Sequence, residues 1–373
     1  MGLLALRLKR QRSGFDSTLL YLTLAAAVMG LFAVYSATLS FGGISNIAVQ
    51  TGAVILGSGL MLLLSAFDYE QYNLLTIPIF AFCMLLLVLV LAIGTGADEV
   101  GAKSWIRFGP IGIQPSEIAK LGFIITFAFH ISKVQGKINR PLVLLGLCLH
   151  LAVYLVPIML QPDAGSAMVF VFIFAVTLFI SGLSFKYIVP ALILGAAALP
   201  LIYRHALSNY QRHRIEVFLN PELDPLGKGY NVIQSKIAVG SGGLFGKGYL
   251  HGTQNQLGFL PAKHTDFIFS TVCEEFGFIG AVIVCGVLFA IIFRILRTAA
   301  KCENPAGRCI AAGVGAMLLF HTIENVGMCI GLMPVTGIPL PFFSYGGTSV
   351  LTNLAAVGLV LSVSRRNKGS LYI

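Results

Sequence analysis

The chain has 373 residues, of which 57% are Ala, Val, Ile, Leu, Met, Phe, Trp, Tyr or Cys and only 11% are Asp, Glu, Lys or Arg. Soluble domains carry about 25% charged residues, so the composition excludes a soluble enzyme, a disordered regulator and a fibrous repeat. The formal charge of +10 does not indicate nucleic acid, because in a membrane protein the placement of charge outweighs its sum.

A helix that crosses a bilayer needs about 20 apolar residues. In chain order such segments fall at 17–39, 47–67, 73–95, 114–132, 141–160, 165–183, 187–203, 267–295, 309–332 and 347–364. They predict an all-α polytopic integral membrane protein, a single domain over 1–373 with ten transmembrane helices. A large extracytoplasmic loop, 204–264, lies between helices 7 and 8. The basic start followed by an apolar run is too long for a signal peptide and lacks a small-residue cleavage site, so it is expected to stay as the first span. With the N-terminus inside, the inner segments hold Arg7, Lys9, Arg10, Arg12, Lys133, Lys137, Arg140, Lys186, Arg294, Arg297, Lys301, Arg308, Arg365, Arg366 and Lys368, and the short outer loops hold Lys103 and Arg107. That asymmetry predicts that both termini are cytoplasmic. The cysteines at 83, 148, 273, 285, 302, 309 and 329 lie mostly in apolar stretches without a CxxC spacing and are read as buried thiols.

The polar residues gather outside. The long loop carries Arg204, Arg212, Arg214, Lys228, Lys236, Lys247 and Lys263 against Glu216, Glu222 and Asp224. Its glycine-rich part is not a P-loop: Ser241 takes the place of the first glycine, and Gly248 stands where Ser or Thr should follow Lys247. A surface loop with flexible turns is the plainer reading, although a loop of this length is usually functional or disordered. Short apolar pieces at Val232-Ile233, 237–239 and 257–260 suggest that it packs back on the membrane surface. Three other outer segments, 101–110 with the single Trp105, Gln161-Pro162-Asp163, and the proline- and glycine-rich 333–347, complete four polar concentrations on one face.

Ionisable groups at membrane depth are costly and functional by default. Glu117 and Lys120, three apart, share a helix face and can neutralise each other, which also suits an ion pair tying two helices. Asp163 can cap the helix that follows it. Glu324 is expected to bond a neighbouring helix. Asp266 ends the polar loop and opens an apolar helix, at the water boundary and near a helix N-terminus that favours its ionised form; an N-cap role is compatible with a catalytic one. Glu274 and Glu275 lie about 12–14 Å deeper if that helix is continuous, and must find partners or be protonated.

These residues resemble the SEDS family of bacterial envelope proteins (shape, elongation, division and sporulation). The resemblance runs over most of the chain and is carried by Gly101-Ala102 with Trp105, Gln114-Pro115-Ser116-Glu117 with Lys120, Gln161-Pro162-Asp163, the segment 224–230 from Asp224 to Tyr230, Gln234-Ser235-Lys236, 240–243, His264-Thr265-Asp266 and 339–347. The block 246–254 and Lys263 are closer to the rod-shape branch than to the division branch. The resemblance implies a peptidoglycan glycosyltransferase of the bacterial cytoplasmic (inner) membrane, polymerising lipid II on its outer face during elongation. It further implies a class B penicillin-binding protein and the elongation machinery as partners, and no nucleic acid. Asp266 would be the essential acid, with Glu117 and Lys120 near the lipid-substrate cavity.

An α-linked donor and a β-linked polymer require one inversion, hence one base and stabilisation of the departing diphosphate rather than a covalent nucleophile. Asp266 can act as that base. Arg204, Arg212, Arg214, Lys236, Lys247 and Lys263, with Lys120 below them, offer positive charge for the diphosphate; Asp163 and Arg107 complete the expected substrate-binding set. A divalent cation, Mg or Mn, is left open. Two rivals are a flippase or transporter of lipid-linked precursor and a non-catalytic scaffold. Transporters tend to place their polar groups near the midplane, whereas here these groups gather at one face.

Overall fold

The computed structural model describes residues 14–39, 43–96, 103–108, 111–201, 203–204, 207, 209–225 and 227–366. Arg7, Lys9, Arg10, Arg12, Gly101, Ala102 and Lys368, which figured in the sequence reading, lie outside the described residues. The chain is nearly all helical. Its helices are α1 (Ser17–Thr38), α2 (Gly43–Ala66), α3 (Thr76–Ile93), α4 (Pro115–Lys133), α5 (Pro141–Leu160), α6 (Ala164–Ile180), α7 (Phe185–Leu201), α8 (Asn209–Leu219), α9 (Lys228–Ser241), α10 (Thr253–Gln256), α11 (Ile268–Lys301), α12 (Pro305–Cys329) and α13 (Gly347–Arg366). The exception to the all-α expectation is an antiparallel hairpin, β1 (Ile106–Phe108) and β2 (Ile111–Ile113). Among the described residues seven helices are long and apolar enough to cross a membrane, and α6 and α7 are shorter apolar helices.

Burial divides the bundle. The apolar windows of α12 and α13 are 72% and 83% buried inside the protein, against 17% in α3 and α5. In lipid the apolar character of a helix does not drive it inward; close backbone approach through small residues does. α12 supplies Ala311, Ala312, Gly313, Gly315 and Ala316, all buried. At the α2–α13 crossing a Cβ on Gly358 would lie 2.6 Å from the Met61 carbonyl oxygen, and one on Gly57 would lie 2.7 Å from Leu354 Cδ1.

Irregular backbone at membrane depth persists only where its polar groups are satisfied by protein. The 333–346 loop obeys this. Ser344 Oγ accepts from Leu340 N at 2.8 Å and donates to Thr265 O at 2.6 Å. The fully buried Gln50 of α2 brackets the loop's end, Nε2 donating to Ser344 O at 3.0 Å and Oε1 accepting from Gly346 N at 3.1 Å. The α11 helix breaks at Gly277 (φ 65°). There the long loop 204–264 takes over its hydrogen bonds: Phe278 N donates to Gly243 O at 2.9 Å, Lys247 N to Glu274 O at 3.0 Å and Gly248 N to Glu275 O at 3.0 Å.

The long loop is thus built from short helices and pressed onto the bundle. Of its apolar pieces Val232, Ala238 and Leu260 are buried, whereas Ile237 and Leu257 are exposed. All seven cysteines are free, but the expectation of buried thiols fails for Cys148, which is exposed, and in part for Cys285; both lie on apolar helices whose outer faces need no polar partner. At the end of the bundle holding residues 14–16 and 364–366, Asp16 binds Arg294 (2.7 Å) and Asp68 binds Arg366 (3.3 Å).

Gly358→Ala should cost about 1–3 kcal/mol through overpacking against the α2 backbone, seen as a lower thermal midpoint in detergent. Gly240→Ala, where a Cβ meets open space, should leave the midpoint unchanged or raise it.

Candidate active site

The turn that carries Asp266 is wound tightly. Thr265 N, Asp266 N and Phe267 N all donate to Ala262 O, at 3.2, 3.1 and 3.2 Å. Asn325, fully buried in α12, holds it from below: Nδ2 donates to Asp266 O at 2.8 Å and to Ile338 O at 2.9 Å. One amide therefore locks the turn to the 333–346 loop. From the other side Tyr345 N donates to His264 O at 2.8 Å, and the rings of His264 and Tyr345 pack 5.5 Å apart. An open groove of about 400 Å³ runs beside the turn, lined by residues from Gln256 to His264.

The half-buried Asp266 carboxyl faces Gly337, where a Cβ would lie 3.6 Å from Oδ2. That is an ordinary contact distance, and it is the backbone of Gly337 (φ 80°) that favours glycine here. Asp266 is not the N-cap of α11; that place belongs to Phe267, without a side-chain cap. The expectation that its surroundings favour the ionised form is also corrected. Burial raises its pKa from 3.8 to about 6, against the charge of Arg214 and a hydrogen bond from Thr265. His264 is pushed down to about 4 by burial and then by the charge of Lys263, so it is neutral at pH 7.

Thr336, next to Gly337, is where the outer segments meet. Its carbonyl accepts from Arg214 Nη1 of α8 at 3.3 Å, and its hydroxyl donates to Glu324 Oε1 at 2.8 Å. Glu324 thus bonds the loop that follows its own helix rather than a neighbouring helix. A Cβ on Gly165 would lie 3.2 Å from Thr336 O, which brings in the segment with Asp163. That carboxylate caps α6 as expected, accepting from Ser166 N at 3.0 Å and Ser166 Oγ at 2.8 Å, with Gln114 Nε2 at 3.4 Å and Ser116 Oγ at 3.5 Å. The hairpin joins through Thr348 Oγ1, which donates to Gly112 O at 3.0 Å.

A second polar group lies beneath. Lys120 Nζ is 2.7 Å from Glu117 Oε1 and 3.0 Å from His321 Nε2, and Thr352 Oγ1 reaches Glu117 Oε2 at 3.5 Å. Glu117 and Lys120 are 3% and 1% exposed, so the pair joins α4 to α12 and α13 while remaining internal to one helix. His321 Nδ1 is buried without a partner among the described residues. His321 stands one helical turn below Asn325, so the two groups share one face of α12.

The expected cations separate. Lys236 crosses Gly331 (φ 75°), where a Cβ would collide with its Cε; the residue as a whole is exposed. Arg212 is engaged by the carbonyls of Leu207 and Arg204, at 3.1 Å each. Lys247 pairs with Glu274 at 2.8 Å. Lys263 is 3% exposed, and its ammonium donates to Asn255 O. Arg107 lies exposed on β1. Glu274 and Glu275 are not abandoned in hydrocarbon, because the returning loop covers them. Asn325, Thr336, Gly337 and His321 escaped the sequence reading, although polar side chains at 321, 324 and 325 of an apolar helix are a helical-face signal. Among the described residues no three His, Cys, Asp or Glu side chains could jointly hold a metal ion. A divalent ion here would draw most of its ligands from substrate phosphates and water.

A family model described as "Cell cycle protein" (FtsW/RodA/SpoVE) matches residues 16–369. The chain is 38% identical over 359 residues to the peptidoglycan glycosyltransferase MrdB of Escherichia coli K12, spanning 95% of this chain and 94% of that protein. It is 36% identical over 369 residues to the probable peptidoglycan glycosyltransferase FtsW of Geobacter metallireducens, with 95% and 96% covered. Among solved structures it is similar to a chain of a peptidoglycan synthase complex (TM-score 0.81, 34% identity, 95% and 98% covered). It is also similar to the rod shape determining protein RodA of Thermus thermophilus (TM-score 0.71, 31% identity, 95% and 98% covered). The motifs that meet around Asp266 thus lie in a chain that belongs to the FtsW/RodA/SpoVE family, the SEDS family.

Proposed function

We infer that this chain is a peptidoglycan glycosyltransferase that polymerises lipid II by inverting transfer on the outer face of the bacterial cytoplasmic membrane during elongation. The observation that carries the reading is the carboxyl of Asp266, partly accessible, raised to about 6 and set beside Arg214 and Gly337. A base of that pKa is still mostly ionised at pH 7 and takes a proton more readily than an ordinary carboxylate.

In the transfer an acceptor hydroxyl oxygen bonds to the anomeric carbon of the donor as the bond from that carbon to the diphosphate oxygen breaks. Asp266 takes the hydroxyl proton late, as the centre becomes oxocarbenium-like, and the polyprenyl diphosphate leaves as an anion. Positioning and charge supply most of the acceleration. Arg214, tethered at Thr336, orients charge at the turn, and Lys236, an exposed residue, suits the diphosphate. Glu117, Lys120 and Asp163 line the donor side; Lys247 and Lys263 are committed to internal partners and contribute less to binding.

The proposed topology has ten crossing helices, adding α4, α6 and α7 to the seven, with both termini cytoplasmic. The Asp16–Arg294 and Asp68–Arg366 pairs at one end of the bundle and the polar loops at the other support it. A class B penicillin-binding protein is the proposed crosslinking partner, in keeping with the similarity to a synthase complex chain.

Purified protein carrying Asp266→Asn should fold and lose polymerisation by about 100-fold or more; retained polymer would refute the base, and flipping of lipid II without polymer would favour the transporter. The rate should rise with pH through an apparent pKa near 6. Folding raises this pKa, so its contribution to stability is present below the ordinary carboxyl value and is lost as pH rises through about 6. Asp266→Asn should therefore match or exceed the parent in heat stability at pH 7, and the difference should shrink by about pH 4. Lys236→Ala should raise KM for lipid II about tenfold with little change in kcat, the loss of one charge-assisted contact. Lys120→Ala strands a buried carboxylate and should cost about 3–5 kcal/mol in unfolding; the double variant Glu117→Gln with Lys120→Met should recover stability but not polymerisation.

A further inference from the structure

The transfer derived above makes no use of Glu274 and Glu275, yet both are buried, at 0% and 2% exposure. Glu274 Oε1 accepts from Lys247 Nζ at 2.8 Å, Thr253 Oγ1 at 3.2 Å and Gln254 N at 2.8 Å, and its Oε2 accepts from Asn255 N at 3.1 Å. Glu275 Oε1 accepts from Asn255 Nδ2 at 3.0 Å and from the hydroxyl of Ser36 on α1. Gln256 Nε2 donates to Ser36 O and to Ser36 Oγ, both at 3.3 Å.

Asn255 is the centre of this knot. It is fully buried; its N–H goes to Glu274, its Nδ2 goes to Glu275 and to Ser36 Oγ (3.1 Å), and its carbonyl accepts from Lys263 Nζ. Lys263 stands three residues before Asp266, within the turn closed by the bond from Asp266 N to Ala262 O. The knot holds two acidic and two basic side chains, so its formal charges balance. Among the described residues Asn255 Oδ1 alone of its polar atoms is buried without a partner, while the bonds made by the others fix where the residue sits, because bonds within one buried polar network support each other.

We propose that this knot is a strut running from α1 to the Lys263–Asp266 turn, which makes Ser36, Asn255 and Glu275 positioning residues of the transferase and Lys263 a tether rather than a diphosphate ligand. The proposal rests on Asp266 as the base. Its physical ground is that transfer between two bound sugars tolerates little displacement of the base, so an ammonium anchored to a fixed carbonyl three residues away controls the rate without touching substrate.

The test uses full-length protein with lipid II, measuring kcat, KM, the pH–rate profile and the thermal midpoint of Ser36→Ala, Lys263→Met and Lys263→Arg. Lys263→Met should lower kcat about 10- to 100-fold, and Ser36→Ala about three- to tenfold, with KM within about twofold in both. Lys263→Arg, which can still donate to Asn255 O, should recover most of the rate. The acid limb should move to lower pH in Ser36→Ala, because a loosened turn admits water to Asp266. A raised KM at unchanged kcat in Lys263→Met would make Lys263 a substrate ligand and overturn the proposal. So would an unchanged kcat and pH profile in Ser36→Ala, which alone decides the matter if Lys263→Met does not fold. Failure of the base assignment shows separately, as polymer made by Asp266→Asn.

Discussion

Two stretches of non-helical backbone, the 262–267 turn and the 333–346 loop, lie against each other at one end of a bundle of apolar helices. Each carries peptide groups without helical partners, and those that are buried must find partners in protein. They find them in one another and in α12: Ser344 Oγ bonds Thr265 O, Tyr345 N bonds His264 O, and Asn325 Nδ2 of α12 bonds both Asp266 O and Ile338 O. The acid at the centre of the proposed chemistry is thus placed by the same bonds that satisfy the irregular backbone around it.

This arrangement accounts for the small residues around the site. Gly165 admits the Thr336 carbonyl and Gly331 admits the stem of Lys236, so a side chain at either would crowd the element packed on it. At Gly337 and Gly331 the positive φ itself favours glycine. Crowding also decides the electrostatics, since burial at the turn outweighs the Arg214 charge and leaves a carboxyl suited to moving a proton near neutral pH. Rigid placement of charge, rather than covalent chemistry, is the means by which such a site accelerates transfer.

Below the turn, α12 works as a ladder. His321 meets Lys120, Glu324 meets Thr336, and Asn325 meets Asp266 O. The same helix carries the small residues that let its neighbours approach closely, so packing and polar placement come from one element. α3 and α5, largely apolar on their outer faces, carry no such demand.

The apolar segments, their approximate ends and the polar stretches between them were legible in the sequence, because hydrophobic run length is a local property of the chain. Asp163 as a cap and Glu117 with Lys120 as a pair were legible for the same reason, since both follow from helical spacing. The uses of the cations were not. Lys247 and Lys263 read as free charges beside an acid, yet one binds Glu274 and the other the carbonyl of Asn255, while Lys236 stays exposed. The bend at Gly277, the meeting at Thr336 and the raised pKa of Asp266 depend on which distant segments press together and how much water they expel. Those are properties of the packed molecule alone, since a residue's burial is set by neighbours that its own stretch of chain does not specify.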